Sequence, residues 1–203
     1  MTPKIQERDR ETTEGRLLEA VGDLIREGGF EKIGVNAVAT RSGVSKILIY
    51  RYFDSLDGLL AAYVRRYDFW INFPVGVPAR EQLPAFLKQV FRAHIDHLRG
   101  DAILRRLYRW ELSSENEFVA RLRRQREQVG LELVDGISRQ SGLGKERVAV
   151  VASLFNAAAT YLALLGEFCP VYNGIAIDGD AGWELITRQT DRLIDLVFET
   201  VEQ

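Results

Sequence analysis

The chain has 203 residues, 46% of them hydrophobic and 28% charged, a balance typical of globular proteins that excludes an intrinsically disordered chain. Its net charge of −2 gives by itself little reason to expect a polyanionic partner. A single cysteine, Cys169, excludes an internal disulfide and a zinc site built from cysteines, and the charged N-terminal segment lacks the apolar core of a signal peptide. These features predict a cytoplasmic protein.

Apolar residues recur at helical spacing along most of the chain, and no convincing strand-like alternation stands out. This pattern predicts an all-α fold of about nine helices, with a small N-terminal group followed by a larger C-terminal bundle. Residues 170–179 are predicted to form a longer non-helical connection. The predicted helices lie at about 10–28, 35–42, 45–52, 55–70, 80–99, 101–113, 115–140, 144–168 and 180–202.

Residues 35–53 have the pattern of a helix-turn-helix, two short helices joined by a glycine-containing turn. Gly43 suits the positive φ of a tight turn, and Ser45 suits the N-cap of the second helix. The residues spaced to face inward are Val38, Ala39, Val44, Ile49 and Phe53. A small helical hairpin packed on the rest of the protein explains this topology equally well, so both interpretations stay open at this point.

The outer face of the second short helix combines aliphatic, phenolic and cationic side chains, namely Lys46, Ile47, Leu48, Tyr50, Arg51 and Tyr52. Cations and phenols bind phosphates, arginine or lysine binds guanine, and an aliphatic side chain contacts the thymine methyl group. Residues 32–53 also contain no carboxylate and four cations, Lys32, Arg41, Lys46 and Arg51. This chemistry favours a surface that lies in a DNA groove.

The same region resembles the N-terminal motif of the TetR family of transcriptional regulators. The resemblance rests on Val38-Ala39-x-x-Ser42-Gly43-Val44-Ser45-Lys46-x-x-Ile49-Tyr50-Arg51-Tyr52-Phe53-x-Ser55-x-x-x-Leu59-Leu60 and on the amphipathic helix that ends at Gly28-Gly29 before it. It implies a homodimer whose helix beginning at Ser45 enters the major groove of a palindromic operator. It also implies a DNA-binding domain at residues 10–70, with its motif at about 34–53, and an effector-binding and dimerisation domain at 71–203.

By this resemblance the bases are approached by Lys46, Ile47, Tyr50 and Arg51. Phosphates are held by Ser45, by Tyr52 and by the start of the first short helix near Val35 and Asn36. The predicted DNA-binding residues are Val35, Asn36, Ser45, Lys46, Ile47, Leu48, Tyr50, Arg51 and Tyr52.

Several positions depart from the family's usual pattern. The family usually has glycine at the position of Ile47, a hydroxyl residue at that of Leu48 and lysine at that of Leu56. Gly34 and Val35 also replace the usual threonines before the first short helix. The losses predict weaker phosphate binding and a flatter salt dependence, whereas Ile47 offers a contact for a thymine methyl group.

The C-terminal region is rich in aromatic residues, which suit an apolar or aromatic effector and equally suit an ordinary helical core. Ser153, Asn156 and Thr160 share a helix face, where they either bond neighbouring helices or provide a polar handle in a pocket. Glu111 is placed to orient a ligand, but a surface glutamate that pairs with a nearby arginine is the preferred interpretation. The predicted pocket residues are Trp70, Phe86, Phe91, Tyr108, Glu111, Phe118, Asn156, Thr160 and Tyr161.

His94 and His97 have a spacing that can place two metal ligands on one helix face, but no third ligand is identifiable. Ordinary, partly exposed histidines are therefore the preferred interpretation, and the sequence predicts neither a metal site nor a cofactor. No catalytic serine, histidine and aspartate set, phosphate-binding glycine loop or HExxH motif is present, so an enzyme is not predicted.

Residues 148–166 contain no charge, and their length is near that needed to span a bilayer. The preferred interpretation is a buried or subunit-interface helix, and no membrane partner is predicted. The resemblance implies a homodimer formed through the helices at about 144–168 and 180–202.

The leading hypothesis is a ligand-responsive repressor released from DNA by a small effector. The alternatives are a helical enzyme or carrier, and a TetR-like protein with weakened DNA binding that acts as a small-molecule carrier or through protein partners.

Overall fold

The computed structural model describes residues 3–74 and 76–199, with side chains from residue 9 onward. These residues form an all-α fold with nine α-helices, as the periodicity predicts. The end of the last predicted helix, 200–202, lies outside the described residues. The helices are α1 Pro3–Gly28, α2 Val35–Ser42, α3 Lys46–Phe53, α4 Leu56–Tyr67, α5 Leu83–Gly100, α6 Ala102–Ser113, α7 Glu117–Ser141, α8 Lys145–Leu165 and α9 Asp180–Glu199.

A small β-hairpin lies within the connection between α8 and α9, where sequence patterning indicates no strand. Its strands, β1 Val171–Tyr172 and β2 Ile175–Ala176, pair antiparallel. Asn173 and Gly174 between them have φ values of 51° and 80°, as in the two-residue turns that join twisted strands. Strands of two residues are too short to show alternation, so the Asn-Gly pair is the signal that predicts this hairpin.

The chain divides into two compact units that do not follow a single cut in the sequence. One comprises the residues up to Asn72 together with Ala102–Arg124, and the other comprises Phe73–Asp101 together with the residues from Gln125 onward. The first unit therefore contains α1 to α4, α6 and the beginning of α7. The functional boundary between residues 70 and 71 stays a prediction.

The first unit is built around apolar residues of α1 that are completely buried, Leu17, Val21 and Ile25. The α6 helix joins this unit through a stacked pair of rings, Phe30 and Trp110, whose centroids lie 4.9 Å apart. From α6, the Arg106 guanidinium donates hydrogen bonds to carbonyl oxygens in the last turn of α1. The Ile25 carbonyl also accepts from the Gly29 amide at 3.0 Å, so Arg106 adds a side-chain bond at the end of α1 to those of the backbone.

The second unit contains α5, α8 and α9. Ion pairs connect α5 to α9, and the Phe91 ring on α5 meets that of Phe155 on α8 edge-on with a centroid distance of 5.3 Å. The hairpin is held by Trp183, whose Nε1 donates to the Ile177 carbonyl at 2.8 Å. The ion pairs from α5 to α9 are Lys88–Asp195, Arg92–Asp191 and Arg99–Asp180.

Candidate nucleic-acid interface

The turn between α2 and α3 is held rigidly. Gly43 occupies the left-handed region with φ 65° and ψ 20°, which a residue with a Cβ adopts only with strain. The Ser42 hydroxyl donates to the Val38 carbonyl at 2.7 Å and accepts from the Val44 amide at 3.2 Å. Arg16 on α1 donates to the Ser42 carbonyl at 2.6 Å. The turn is therefore fixed both to its own helices and to α1.

The first turns of the two short helices differ in how their amides are satisfied. Ser45 caps α3, because its hydroxyl accepts from the Ile47 amide at 3.4 Å. The corresponding position of α2 is Gly34, which has no side chain to accept such a bond. The first amides of α2, including those of Val35 and Asn36, are thus left to other acceptors. A helix N-terminus of this kind suits a phosphate group.

The outer face of α3 is open to solvent, while its inner face is packed. Ile49 is completely buried, whereas Ile47 is 74% exposed and Tyr50 is 51% exposed. Of the other predicted DNA-binding residues, Asn36, Ser45, Lys46 and Arg51 are exposed, and Val35, Leu48 and Tyr52 are of intermediate exposure. Four of the predicted residues, Lys46, Ile47, Tyr50 and Arg51, are thus exposed on the outer side of α3, and this set is defined here as the reading face.

Arg41 differs from the other cations of this region, because it is paired. Its guanidinium binds both carboxylate oxygens of Glu27 on α1, at 2.7 and 2.5 Å. The hydrogen bond and the charge of Glu27 raise the pKa of Arg41, and the hydrogen bond from Arg41 lowers the pKa of Glu27. Counting charges along residues 32–53 thus overstates the number of cations free to meet DNA. Lys32, Lys46 and Arg51 are all exposed.

Tyr52 has a neighbour that the motif does not reveal. The Arg10 guanidinium lies 5.2 Å from the centre of the Tyr52 ring, and its Nε donates to Glu14 at 2.6 Å. The Glu14 hydrogen bond and charge raise the pKa of Arg10. A cation over an aromatic ring restricts the ring's orientation. No local sequence signal predicts this contact, because Arg10 and Tyr52 are distant in the chain.

The predicted effector-binding residues are divided between the two units. Trp70, Tyr108, Glu111 and Phe118 belong to the first, and Phe86, Phe91, Asn156, Thr160 and Tyr161 belong to the second. In the second unit, Phe91 is buried, Phe86, Asn156 and Thr160 are of intermediate exposure, and Tyr161 is 54% exposed. The ring of Tyr161 packs edge-on against Tyr172 of the hairpin.

Two titratable residues are more deeply buried than the preferred interpretation of the sequence expects. Glu111 is 5% exposed, so its assignment as a surface glutamate is wrong, and the same holds for the partly exposed assignment of His94, which is 0% exposed. Both side chains lie on the packed side of their helices, Glu111 on α6 and His94 on α5. The spacing of apolar residues over a few turns does not show whether a polar residue at the edge of the apolar stripe is buried. Within the described residues no group of three histidine, cysteine or acidic side chains is placed to hold a metal ion.

The α8 helix is apolar but little covered within the chain. Its length and mean hydropathy of 2.0 are enough for it to cross a membrane. Only 17% of its most apolar 18-residue stretch is buried. The exposed side chains include Val150, Leu154 and Tyr161, and α9 adds Leu185, Leu193 and Leu196. Apolar surface of this extent is typical of a helix that packs against another molecule.

A helix-turn-helix with an exposed cationic and aliphatic face, within an all-helical chain, defines a DNA-binding transcription regulator rather than an enzyme. Residues 17–63 match the model of the bacterial regulatory proteins of the tetR family. That match covers the helix-turn-helix, α1 from residue 17 onward and α4 up to residue 63.

Similar proteins are regulators of the same type. The HTH-type transcriptional activator FasR of Mycolicibacterium smegmatis is 28% identical over 149 residues, which cover 70% of this chain and 67% of FasR. The uncharacterized HTH-type transcriptional regulator Rv1255c of Mycobacterium tuberculosis is 37% identical over 65 residues, or 32% of each chain. Another from that organism, Rv2250c, is 29% identical over 107 residues, which cover 52% of this chain and 54% of the relative.

Proposed function

We propose that the protein is a cytoplasmic, ligand-responsive repressor that binds a palindromic operator as a homodimer and is released by a small apolar or aromatic effector. The observation that carries this proposal is the reading face of α3. A side chain such as Ile47, 74% exposed beside the cations Lys46 and Arg51, contributes little to the core of its own unit. Its cationic and phenolic neighbours complement the phosphates and base edges of a DNA major groove.

In the proposed complex, phosphates position the domain and bases select the site. Lys46 and Arg51 contact guanine or nearby phosphates, and Ser45 and Tyr52 hold the backbone. The open amides at the start of α2 bind a further phosphate through the helix N-terminus. Two-fold symmetry then sets the half-sites about 34–36 Å apart, or at a multiple of that distance.

Dimerisation is proposed through the exposed apolar faces of α8 and α9. A helix with a mean hydropathy of 2.0 and little burial in its own chain is stable in water when a second copy covers it. Two helices from each subunit form a four-helix bundle, in which Leu154 of α8 and Leu193 of α9 are buried.

Effector binding is proposed for the second unit, beside Phe91 and Asn156. Phe91 and Phe155 provide an aromatic surface, and the buried Oδ1 atom of Asn156 has no hydrogen-bond partner. A buried carbonyl oxygen without a donor costs about 1–3 kcal/mol, which a ligand with a donor group recovers. The effector shifts the protein away from the DNA-binding state only by its difference in affinity for the two states.

Activation is a second candidate mode of regulation. The relative FasR is named a transcriptional activator, and it aligns with most of this chain. Both modes use the same DNA-binding step, and they differ in where the operator lies relative to the promoter. A reporter placed behind a recovered operator distinguishes them, since transcription falls when a repressor is added and rises when an activator is added.

The central test is selection of genomic fragments by the purified protein, followed by mobility shifts at two salt concentrations. The proposal expects one palindromic sequence to be enriched and the affinity for it to fall as the salt concentration rises. A Lys46→Ala, Arg51→Ala variant with unchanged circular dichroism is expected to lose that binding. If the wild-type protein enriches no sequence even at low salt, the carrier or protein-partner alternative is favoured.

The effector site is tested with an Asn156→Leu variant. Replacing an unsatisfied polar group by an apolar one of similar size is expected to leave stability unchanged or to raise it by about 1 kcal/mol. The variant is expected to bind the operator normally but to resist release by cell extract fractions that release the wild-type protein. Normal release would exclude Asn156 as a ligand anchor.

A further inference from the structure

Ile47 has no evident role in folding. It is the second residue of α3, and Ile49, which is completely buried, supplies the core contact of this helix. Among the described residues 17–63, Ile47 and Tyr50 are the large hydrophobic side chains that are exposed. A β-branched residue is also a poorer helix former than leucine or alanine. Neither packing nor helix propensity therefore accounts for an isoleucine at this position.

The surroundings of Ile47 indicate what it contacts. Tyr50 and Arg51 follow it by three and four residues and so lie on the same side of the helix. The Ser45 cap fixes the first turn of α3, because its hydroxyl accepts from the Ile47 amide itself. Residues in the first turn of a recognition helix are those that reach base edges. Ile47 is thus an anchored apolar group among polar ones, at the end of α3 that meets the bases.

We propose that Ile47 is a specificity-determining residue that contacts the C5-methyl group of a thymine in each operator half-site. This inference rests on the proposed function. The major-groove edges of the other bases present hydrogen-bonding groups, whereas thymine adds a methyl group to its carbonyl oxygen. A β-branched side chain has few rotamers to lose on contact, which favours a rigid apolar surface of this kind. Lys46 and Arg51 then read or anchor the neighbouring positions.

The test removes a methyl group from the DNA and not a hydrogen bond. The operator recovered by selection with the wild-type protein is synthesised with each thymine of a half-site, and its symmetry mate, replaced in turn by deoxyuridine. One such pair is expected to bind about tenfold more weakly, because each lost methyl contact costs roughly a factor of three to four. Replacement in a single half-site is expected to weaken binding by only the factor for one methyl contact, about three to four.

The variant Ile47→Ala links the methyl group to its reader. It is expected to bind the thymine operator about tenfold more weakly and to bind the thymine and deoxyuridine operators equally. Leu112→Ala is the matched control, since Leu112 is 80% exposed on α6 and lies outside the helix-turn-helix. It is expected to retain the full deoxyuridine effect. Circular dichroism verifies that both variants are folded.

Each result supports or overturns the assignment. A deoxyuridine effect that persists in Ile47→Ala means that another residue reads the methyl group, and no effect at any thymine means that none is read; either result overturns the proposal and leaves the proposed function standing. Failure of the wild-type protein to enrich any sequence overturns both together.

Discussion

The reading face of α3 and the outer face of α8 are both exposed, but they differ in chemistry. On α3, Ile47 stands among Lys46, Tyr50 and Arg51, so an apolar contact is surrounded by cations and a phenol. On α8, Val150 and Leu154 lie in a stretch that contains no charge. Exposure alone marks both as surfaces for a partner. The presence or absence of charge indicates whether that partner is a hydrated polyanion or a dry protein surface.

The largest expected effect comes from placing a charge on the outer face of α8. A Leu154→Glu variant buries a carboxylate in the proposed subunit interface, which costs several kcal/mol. It is expected to be monomeric by analytical ultracentrifugation and to bind a palindromic operator at least about 100-fold more weakly. Leu112→Glu, on a comparably exposed leucine of α6, is the control and is expected to remain dimeric. A dimeric Leu154→Glu variant would contradict the proposed interface.

A second prediction concerns the joint that positions α3. A Cβ atom added at Gly58 would lie 1.8 Å from the Phe53 carbonyl oxygen, so Gly58→Ala forces the start of α4 away from the end of α3. The free energy of unfolding is expected to fall by about 2–3 kcal/mol, measured by urea denaturation. Gly15→Ala is the matched control: no atom lies within 4 Å of its added Cβ, and it is expected to gain about 0.5–1 kcal/mol.

Equal losses for the two glycine variants would mean that the contact at Gly58 does not constrain the junction. Unchanged stability with lost DNA binding would instead indicate that α3 had turned without unfolding.

The role of charge on the reading face is tested by comparing an exposed cation, Lys46, with a cation held in an ion pair, Arg41. Lys46→Ala removes an exposed cation from both subunits. The plot of the logarithm of the DNA association constant against the logarithm of the salt concentration is therefore expected to become less steep by about 2, with roughly tenfold weaker binding. A Glu27→Gln, Arg41→Gln double variant removes a pair whose charges already cancel. Its slope is expected to match that of the wild type within error. A reduced slope would place Arg41 at the phosphates.

The smallest expected effect concerns pH. The hydrogen bond from Arg41 lowers the pKa of Glu27 in the folded protein, so its contribution to stability is present above the unfolded pKa, about 4.3, and is lost as pH falls through the folded value. The wild type is therefore expected to be slightly more stable than Glu27→Gln at pH 6, with the difference shrinking as the pH is lowered toward 3. Thermal unfolding at both pH values measures it. A difference unchanged at pH 3 would exclude this ion pair as the cause.

Much of the fold follows from local signals. The bounds of α2 agree with Gly34 before it and Gly43 after it, and the α3 cap agrees with Ser45, because these residues act on their own neighbours. The reading face is predictable for the same reason: Ile49 and Ile47 differ by two positions and must point to different sides of a helix.

The remaining features depend on contacts between residues distant in the chain. Nothing near Arg41 indicates that Glu27 neutralises it, and nothing near Tyr52 indicates Arg10 above its ring. The burial of Glu111 likewise depends on how α6 packs, which periodicity over three turns does not determine. Whether the predicted residues bind DNA or effector stays a prediction, since each depends on a molecule outside the chain.

The stacking of Phe30 on Trp110 has a consequence for exchanging modules between regulators. Because α6 completes the unit that carries the helix-turn-helix, the backbone passes between the two units three times, after Asn72, Asp101 and Arg124. A chimera spliced once near residue 72 would supply a foreign aromatic partner to Phe30, or none, and would remove the Arg106 contacts from the end of α1. Moving this helix-turn-helix into another regulator therefore requires transplanting residues 102–124 as well.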